Sequence, residues 1–368
     1  MARQVPEDWK HLYGHSFNDD LYFLWTTGSM LLGTRVGDRR AQTLLRKEFR
    51  MQRRTLISTL ALAGLKAREA GAAPAAQDAI PKRVFGKTGE SLTIIGMAGG
   101  RLPLANDKDD ARAIVRRAYE LGINYFDNAR VYWNGQSEEI YGDVLPRWRK
   151  QVFLTTKSVA RDRKGAEADL ERSLKALKTD YLDLWQIHGV AEMKEVDQIF
   201  APGGAIEAFE AAKKAGKCRF MGFTGHHDPY VHLEMLKRYD KYDTILMPLH
   251  AADPAYLSFE KLVLPVAVPR GMGIQGMKST ANAKLLQEMS VRECLSYTLS
   301  LPVHCLAVGC TTIGQIEDDA RIARSFRKLE ETQMSALRER VAKLKGPALE
   351  DWKRNVENAS LPAMHHDV

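Results

Sequence analysis

The chain has 368 residues, 45% of them apolar, which suits one large domain or two smaller ones. Its formal charge is +8, from 54 Lys and Arg against 46 Asp and Glu, but residues 1–82 hold 13 basic and 8 acidic side chains and leave the rest a balance of only +3. A nearly neutral body argues against nucleic acid as a partner. Cys218, Cys294, Cys305 and Cys310 lie in or beside apolar runs with no Cys-x-x-Cys pair, so they read as buried thiols rather than disulfides, and no metal-ligand spacing is present.

The segment "MQRRTLISTLALAGLKAREAGAAPAAQ", residues 51–77, has a basic start, a short apolar run and a small-residue tail. The run from Leu56 to Leu65 is 10 residues, whereas a membrane-spanning helix takes roughly 20, so no stable membrane insertion is expected. Arg53 and Arg54 before a weakly apolar run resemble a twin-arginine signal, which implies export machinery as a partner and a periplasmic or exported location. The competing interpretation is an amphipathic extension of a cytoplasmic protein. If the signal is real, Met51 is the expected start of translation and residues 1–50 are an unassigned extension. Residues 51–82 then form signal and linker, residues 83–345 the folded body and residues 346–368 a C-terminal tail.

From residue 83 onward β-rich runs alternate with amphipathic segments. "RVFGKTGESLTIIG" predicts a hairpin turning on Gly86 to Gly89 and leading into a strand near Ile94. Further runs begin near Asn124, Val152, Leu182, Arg219, Thr244, Gly273 and Cys305, at intervals of 25 to 37 residues. Between them, Ile114, Ala118 and Leu121 share one helical face, as do Leu170, Leu174 and Leu177, and Gly122 and Gly216 stand at helix C-terminal positions. Eight strand–helix units at this spacing predict an α/β fold, a closed (β/α)8 TIM barrel with an N-terminal β-hairpin. The rival, an open doubly wound sheet, would carry a Gly-rich fingerprint after its first strand, and "GMAGGRLP" does not supply one. "LEETQMSALRERVAKLKGP" predicts an extra C-terminal helix against the barrel's exterior, with Met334, Leu337, Val341 and Leu344 on one face.

Barrel chemistry sits at the carboxyl ends of the strands. Asp127 closes the second strand and Tyr132 follows in its loop, Lys157 ends the third and His188 the fourth. Each alone has a bland explanation, a turn-forming Asp, a solvated Lys or a hydrogen-bonded His. Together on neighbouring strands they suit proton donation. A phenol titrates near pH 10, an adjacent ammonium lowers that value, and a carboxylate anchors the ammonium. The imidazole can bond a carbonyl oxygen and orient it. No side chain of this set supplies a hydride, so a cofactor is required.

At these motifs the chain resembles the aldo-keto reductases: "FDNARVYWNGQSEEIYG", "LTTK" and "DLWQIHGV" are similar to the family's segments carrying Asp, Tyr, Lys and His, in the family's order. The resemblance implies a (β/α)8 barrel that binds a nicotinamide cofactor, usually NADPH with NADH not excluded, and reduces a small-molecule carbonyl substrate. It assigns Asp127, Tyr132, Lys157 and His188 to catalysis. "MGFTGH" resembles the segment that usually ends in Ser-Asn and holds the nicotinamide carboxamide, but Thr224 and Gly225 occupy that pair, and Leu246 stands where a Gln is common. His226 and His250 are candidate substitutes. "VGCTTIGQIEDDARIA" resembles the eighth-strand segment, which places Gly309, Thr311 and Thr312 by the phosphates and Gln315 and Asp319 by the adenine, with Lys278 also meeting the diphosphate. No basic residue stands between Gly309 and Asp319 to mark a 2'-phosphate; Arg321 and Arg324 come later. Trp133 is the leading candidate for substrate contact. Two alternatives are a nicotinamide-binding regulatory or redox-sensing barrel with little turnover, and a barrel lyase using Lys157 as a Schiff base.

Overall fold

The computed structural model describes residues 79–354; residues 1–78, with the extension and nearly all of the signal segment, and residues 355–368 lie outside the described residues. The first element is the expected hairpin, β1 (Lys82–Val84) antiparallel to β2 (Ser91–Thr93). Its turn needs Gly86: φ is +52°, and a Cβ there would stand 2.5 Å from the Gly271 carbonyl oxygen. The turn docks by Lys87 N–H donating to that same carbonyl. Phe85 is thereby buried against Tyr125, Phe153, Leu184 and Cys305 at the amino-terminal ends of their strands, forming an aromatic floor.

Eight parallel strands follow: β3 (Ile95–Ala98), β4 (Tyr125–Asp127), β5 (Phe153–Ser158), β6 (Leu182–Ile187), β7 (Cys218–Thr224), β8 (Thr244–Pro248), β9 (Gly273–Met277) and β10 (Cys305–Val308). β10 pairs with both β9 and β3, so the sheet closes on itself and the open-sheet alternative is excluded. Closure admits large interior side chains only where the wall yields. At Gly96 a Cβ would fall 2.2 Å from the Tyr125 ring, so the glycine makes room for that tyrosine.

The helices are α1 (Lys108–Glu120), α2 (Gln136–Val144), α3 (Arg163–Leu177), α4 (Met193–Phe200), α5 (Ala205–Lys214), α6 (Pro229–Arg238), the short α7 (Phe259–Leu262) and α8 (Leu264–Ala267), α9 (Val291–Ser300), α10 (Ile313–Arg324) and α11 (Glu331–Arg340). Asp107 caps α1 by accepting from Asp109 and Asp110 N–H, and α1 turns Ala111, Ile114, Val115 and Ala118 to the sheet. The widest sequence interval, before β7, holds two helices, α4 and α5. The α5 face is anchored by Phe209, stacked on Trp185 with ring centroids 3.7 Å apart.

α11 buries Met334 and Leu337 in a satellite cluster with Leu285, Met289, Cys294 and Tyr297, outside the barrel as expected. Residues 346–354, which the sequence assigns to a tail, pack back onto the barrel. Among the described residues no helix is long and apolar enough to cross a membrane.

Candidate active site

β4, β5 and β6 bring the four predicted residues into one corner at their carboxyl ends. Strand alternation turns Asp127 and Lys157 inward, where they are 2% and 1% exposed. Lys157 Nζ donates to Asp127 Oδ2 at 2.5 Å and to the Asn128 carbonyl at 2.6 Å. Burial pushes Lys157 below its ordinary pKa, with the charge of Asp127 opposing, and pushes Asp127 upward, with the charge of Lys157 opposing. The ammonium lies over the Tyr132 ring, whose centroid is 5.2 Å from Nζ. The His188 ring meets the Tyr132 ring edge-on, with centroids 5.6 Å apart. His188 is driven well below its usual pKa by burial first and then by the charges of Lys157, His226 and Arg161, so the imidazole is neutral. Its Nδ1 is buried with no hydrogen-bond partner among the described residues, and Arg161 fixes its backbone by donating to the His188 and Gly189 carbonyls.

The loop that presents Tyr132 is strained. Trp133 and Asn134 adopt left-handed φ of 52° and 51°, at a cost on the order of 1 kcal/mol or more each. Two residues that sequence reading missed hold it there. Glu138 is buried and accepts from Arg130 Nη1 at 2.5 Å and Thr156 Oγ1 at 2.6 Å. Burial raises the Glu138 pKa against those two partners. Gly135 leaves the space that Arg130 occupies, since a Cβ there would lie 1.0 Å from Arg130 Nη2. The signal was present in "NGQSEE", a glycine beside an acidic pair, but nothing local shows which carboxylate turns inward. Trp133 is half-buried at the edge of the site, with Lys108 Nζ 5.9 Å from its ring centroid.

The residues expected to hold a cofactor lie on the other side of the same opening. Thr224 ends β7 beside Leu246 of β8, both buried, so the absence of a Gln there is real and the wall is apolar. Gly225 is dictated by close approach: a Cβ would meet the Val190 carbonyl oxygen at 2.4 Å and His232 Cε1 at 2.7 Å. His226 follows, half-buried; burial, then the charges of Lys278, His227 and His232, push it down to about 3, so it too is neutral. His250 is not available as a substitute, because it is fully buried with Nε2 3.0 Å from Glu350 Oε1.

Lys278 Nζ has one long hydrogen bond, 3.4 Å to Asn282 Oδ1, and Arg101 Nη2 donates to the same oxygen at 3.1 Å. Neither cation forms an ion pair among the described residues, and burial followed by the charge of Arg101 lowers Lys278 to about 8. Arg101, which sequence reading missed, crosses Gly309, where a Cβ would fall 2.6 Å from Arg101 Cγ. Two under-neutralised cations around a glycine cradle suit a diphosphate. At the start of α10, Thr312 Oγ1 accepts from Gln315 N–H, while Gln315 Oε1 takes both the N–H and the hydroxyl of Thr311. Gln315 faces outward. Asp319 is buried instead, takes a bond from Cys310 Sγ at 3.5 Å and is raised to about 6 by burial. Arg321 pairs with Asp318 and Arg324 donates to the Leu121 carbonyl. A cavity of about 400 Å³ lined by Arg83, Gly271, Leu299 and His304 lies at the opposite, floor end and touches none of these groups.

A model of the Aldo/keto reductase family matches residues 94–290, more than half of the chain. Among curated proteins, the uncharacterized oxidoreductase YqkF of Bacillus subtilis is 33% identical over 177 residues, covering 45% of this chain and 54% of that one. L-galactose dehydrogenase of Arabidopsis thaliana is 32% identical over 160 residues, covering 40% and 49%. The chain thus spans about half the length of the curated relatives it matches. Solved structures share the fold: aldo-keto reductase AKR11C1 from Bacillus halodurans in its holo form has a TM-score of 0.62 at 24% identity, covering 71% of this chain and 96% of that one. An aldo-keto reductase from Klebsiella pneumoniae in complex with NADPH has a TM-score of 0.58 at 18% identity, covering 70% and 94%. With its closed parallel barrel and the family match across the strands that carry Asp127, Tyr132, Lys157 and His188, the chain belongs to the aldo/keto reductase family.

Proposed function

We propose that this protein reduces an aldehyde or ketone to an alcohol with NADPH, Tyr132 giving the proton to the carbonyl oxygen. The observation that carries this reading is the corner in which the buried Asp127–Lys157 pair faces the Tyr132 ring, with His188 edge-on to it. Asp127 holds the ammonium in place despite its burial, and the ammonium favours the phenolate left after the proton departs. Neutral His188 hydrogen-bonds the substrate oxygen and aims it at the phenol. Trp133, which packs partly buried against the core next to Tyr132, would line the substrate side. A bound nicotinamide would supply the hydride. Lys278, Arg101 and the Gly309 turn would hold its diphosphate, with Thr224, Gly225, Thr311, Thr312 and Gln315 around the remainder. NADPH is favoured by family habit and by the NADPH complex of the Klebsiella pneumoniae neighbour. NADH competes because no basic side chain is left over between Gly309 and Asp319. A panel of aldehydes, ketones and quinones followed at the nicotinamide absorbance with both cofactors tests the reading, and no turnover of any substrate contradicts it.

A second reading, a nicotinamide-binding sensor with little turnover, is favoured by one observation: Gly225 and Leu246 offer the carboxamide no side-chain hydrogen bond. Fluorescence quenching by NADPH without turnover on that panel would select it. A Schiff-base lyase is disfavoured, since the Lys157 amine is held by Asp127 and Asn128; borohydride trapping with a carbonyl compound checks this. We also propose, from Arg53, Arg54 and the run that follows, that residues 51–77 direct export. N-terminal analysis of the mature protein from its native host tests it, and a chain retaining residues 1–50 opposes it.

A further inference from the structure

Residues 346–354 belong neither to the barrel strands nor to the tetrad, yet they carry two deeply buried charges, Glu350 and Lys353. Lys353 is fully buried, and its Nζ lies 2.7 Å from Asp253 Oδ1, 2.7 Å from the Tyr256 carbonyl and 2.5 Å from Glu350 Oε1. Two of its donors make hydrogen bonds, to Asp253 and the Tyr256 carbonyl, and Glu350 adds an ion pair. Asp253, Glu350 and His250 are fully buried around it. On either side the segment is pinned again. Arg354 Nε donates to Asp228 Oδ2 at 2.7 Å and its N–H to the His227 carbonyl at 2.8 Å, while His227 Nδ1 is 3.0 Å from the Trp352 carbonyl. Lys284 bridges Asp351 at 3.0 Å and the Ala348 carbonyl at 3.2 Å. These anchors are the loops after β7, β8 and β9, three consecutive strands at the barrel mouth.

Between the anchors Trp352 is laid over Lys278, with Nζ 4.8 Å from its ring centroid. The indole N–H is buried and has no partner among the described residues. Lys278 is the under-neutralised cation that shares Asn282 with Arg101, so the tryptophan roofs the place where an anion would complete the charge balance. An indole face over an ammonium contributes cation–π attraction, and it also shields that charge from water, which strengthens its hold on an anion.

We propose that residues 346–354 form a strap that serves as the outer wall of the dinucleotide site, with Trp352 covering the diphosphate held by Lys278 and Arg101 and the Lys353 cluster acting as its latch. This rests on the cofactor reading above. A dinucleotide then leaves only when the strap lifts, so the segment sets the rate of release more than the rate of the proton transfer at Tyr132.

The test is stopped-flow release of bound NADPH from the full chain, from Trp352→Ala and from Arg354→Ala, which loosens the strap without touching the Lys353 cluster. Circular dichroism confirms that both variants fold. Release at least ~10-fold faster in Trp352→Ala, and faster by a smaller factor in Arg354→Ala, is expected. Quenching by NADPH in all three proteins with identical release rates overturns the strap while leaving the cofactor reading intact. Failure of the unaltered chain to bind NADPH removes both.

Discussion

Lys157 and Lys353 are both buried at the barrel mouth, and their surroundings differ. Lys353 meets two carboxylates and a carbonyl, with the Phe259 ring centroid 5.5 Å from its Nζ. Lys157 meets one carboxylate and one carbonyl and lies over the ring of Tyr132, 5.2 Å from its centroid. A cation balanced by two buried carboxylates has its charge neutralised and holds structure. One balanced by a single carboxylate and facing a phenol can also stabilise charge that develops beside it. The number of carboxylates, one against two, separates a working group from a latch, without reference to where either sits in the sequence.

The largest expected effect breaks the working side. Lys157→Met strands Asp127 as an unpaired buried carboxyl, which costs about 3–5 kcal/mol of stability, and kcat/KM for a carbonyl substrate should fall about 10²- to 10⁴-fold. Chemical denaturation and steady-state rates measure both, and undiminished turnover would sink the assignment. Lys353→Met leaves Asp253 and Glu350 without their cation and should cost a similar amount of stability. Here the loss belongs with faster NADPH release, and the pH dependence of turnover should keep its shape. If that pH profile changes as much as in Lys157→Met, the distinction between the two lysines is wrong.

Smaller effects sharpen the picture. Glu138→Gln retains shape but weakens the charge-assisted bond to Arg130, a change of about 1.5–3 kcal/mol. Because Glu138 braces the strained turn that carries Tyr132, turnover should fall about 10-fold while the Kd for NADPH stays constant. A variant with normal turnover would show that the strain needs no brace. The gentlest probe is pH. Lys278, lowered to about 8 by burial and by Arg101, with Asp351 and Lys284 also acting on it, is charged below that pH and neutral above it. Its attraction for a diphosphate is therefore fully present on the acid side and fades as pH rises through about 8. NADPH titrations between about pH 7 and 9.5 should show affinity weakening several-fold, and Lys278→Met should abolish that slope. An unchanged slope in the variant would move the diphosphate elsewhere.

Much of this molecule is legible in its sequence because its signals are local. Each barrel strand begins within one residue of its predicted start, since an inward strand ends in abrupt polar or glycine punctuation. Asp127, Lys157 and His188 announce themselves by falling at three such ends, and Tyr132 by following in the loop after the first of them. What escaped is long-range. Arg101 crosses to Asn282, and Lys353 reaches Asp253, through contacts between segments that no periodicity relates. The same cause explains His250, a plausible cofactor ligand in the sequence, which is buried beside the distant Glu350. Asp319 looked available on a helix, but its face turns to Cys310. Gly225 appeared as a departure from a family pattern, and its reason, the carbonyl of Val190 pressed against it, is visible only in three dimensions.

The central claim is that the phenol of Tyr132 delivers the proton, and the most direct measurement is single-turnover reduction of an aldehyde by the NADPH-loaded protein, unaltered and as Tyr132→Phe. The variant is expected to bind NADPH with an affinity within about threefold of the original yet to reduce the aldehyde at least ~10²-fold more slowly. Equal reduction rates in the two proteins would contradict it.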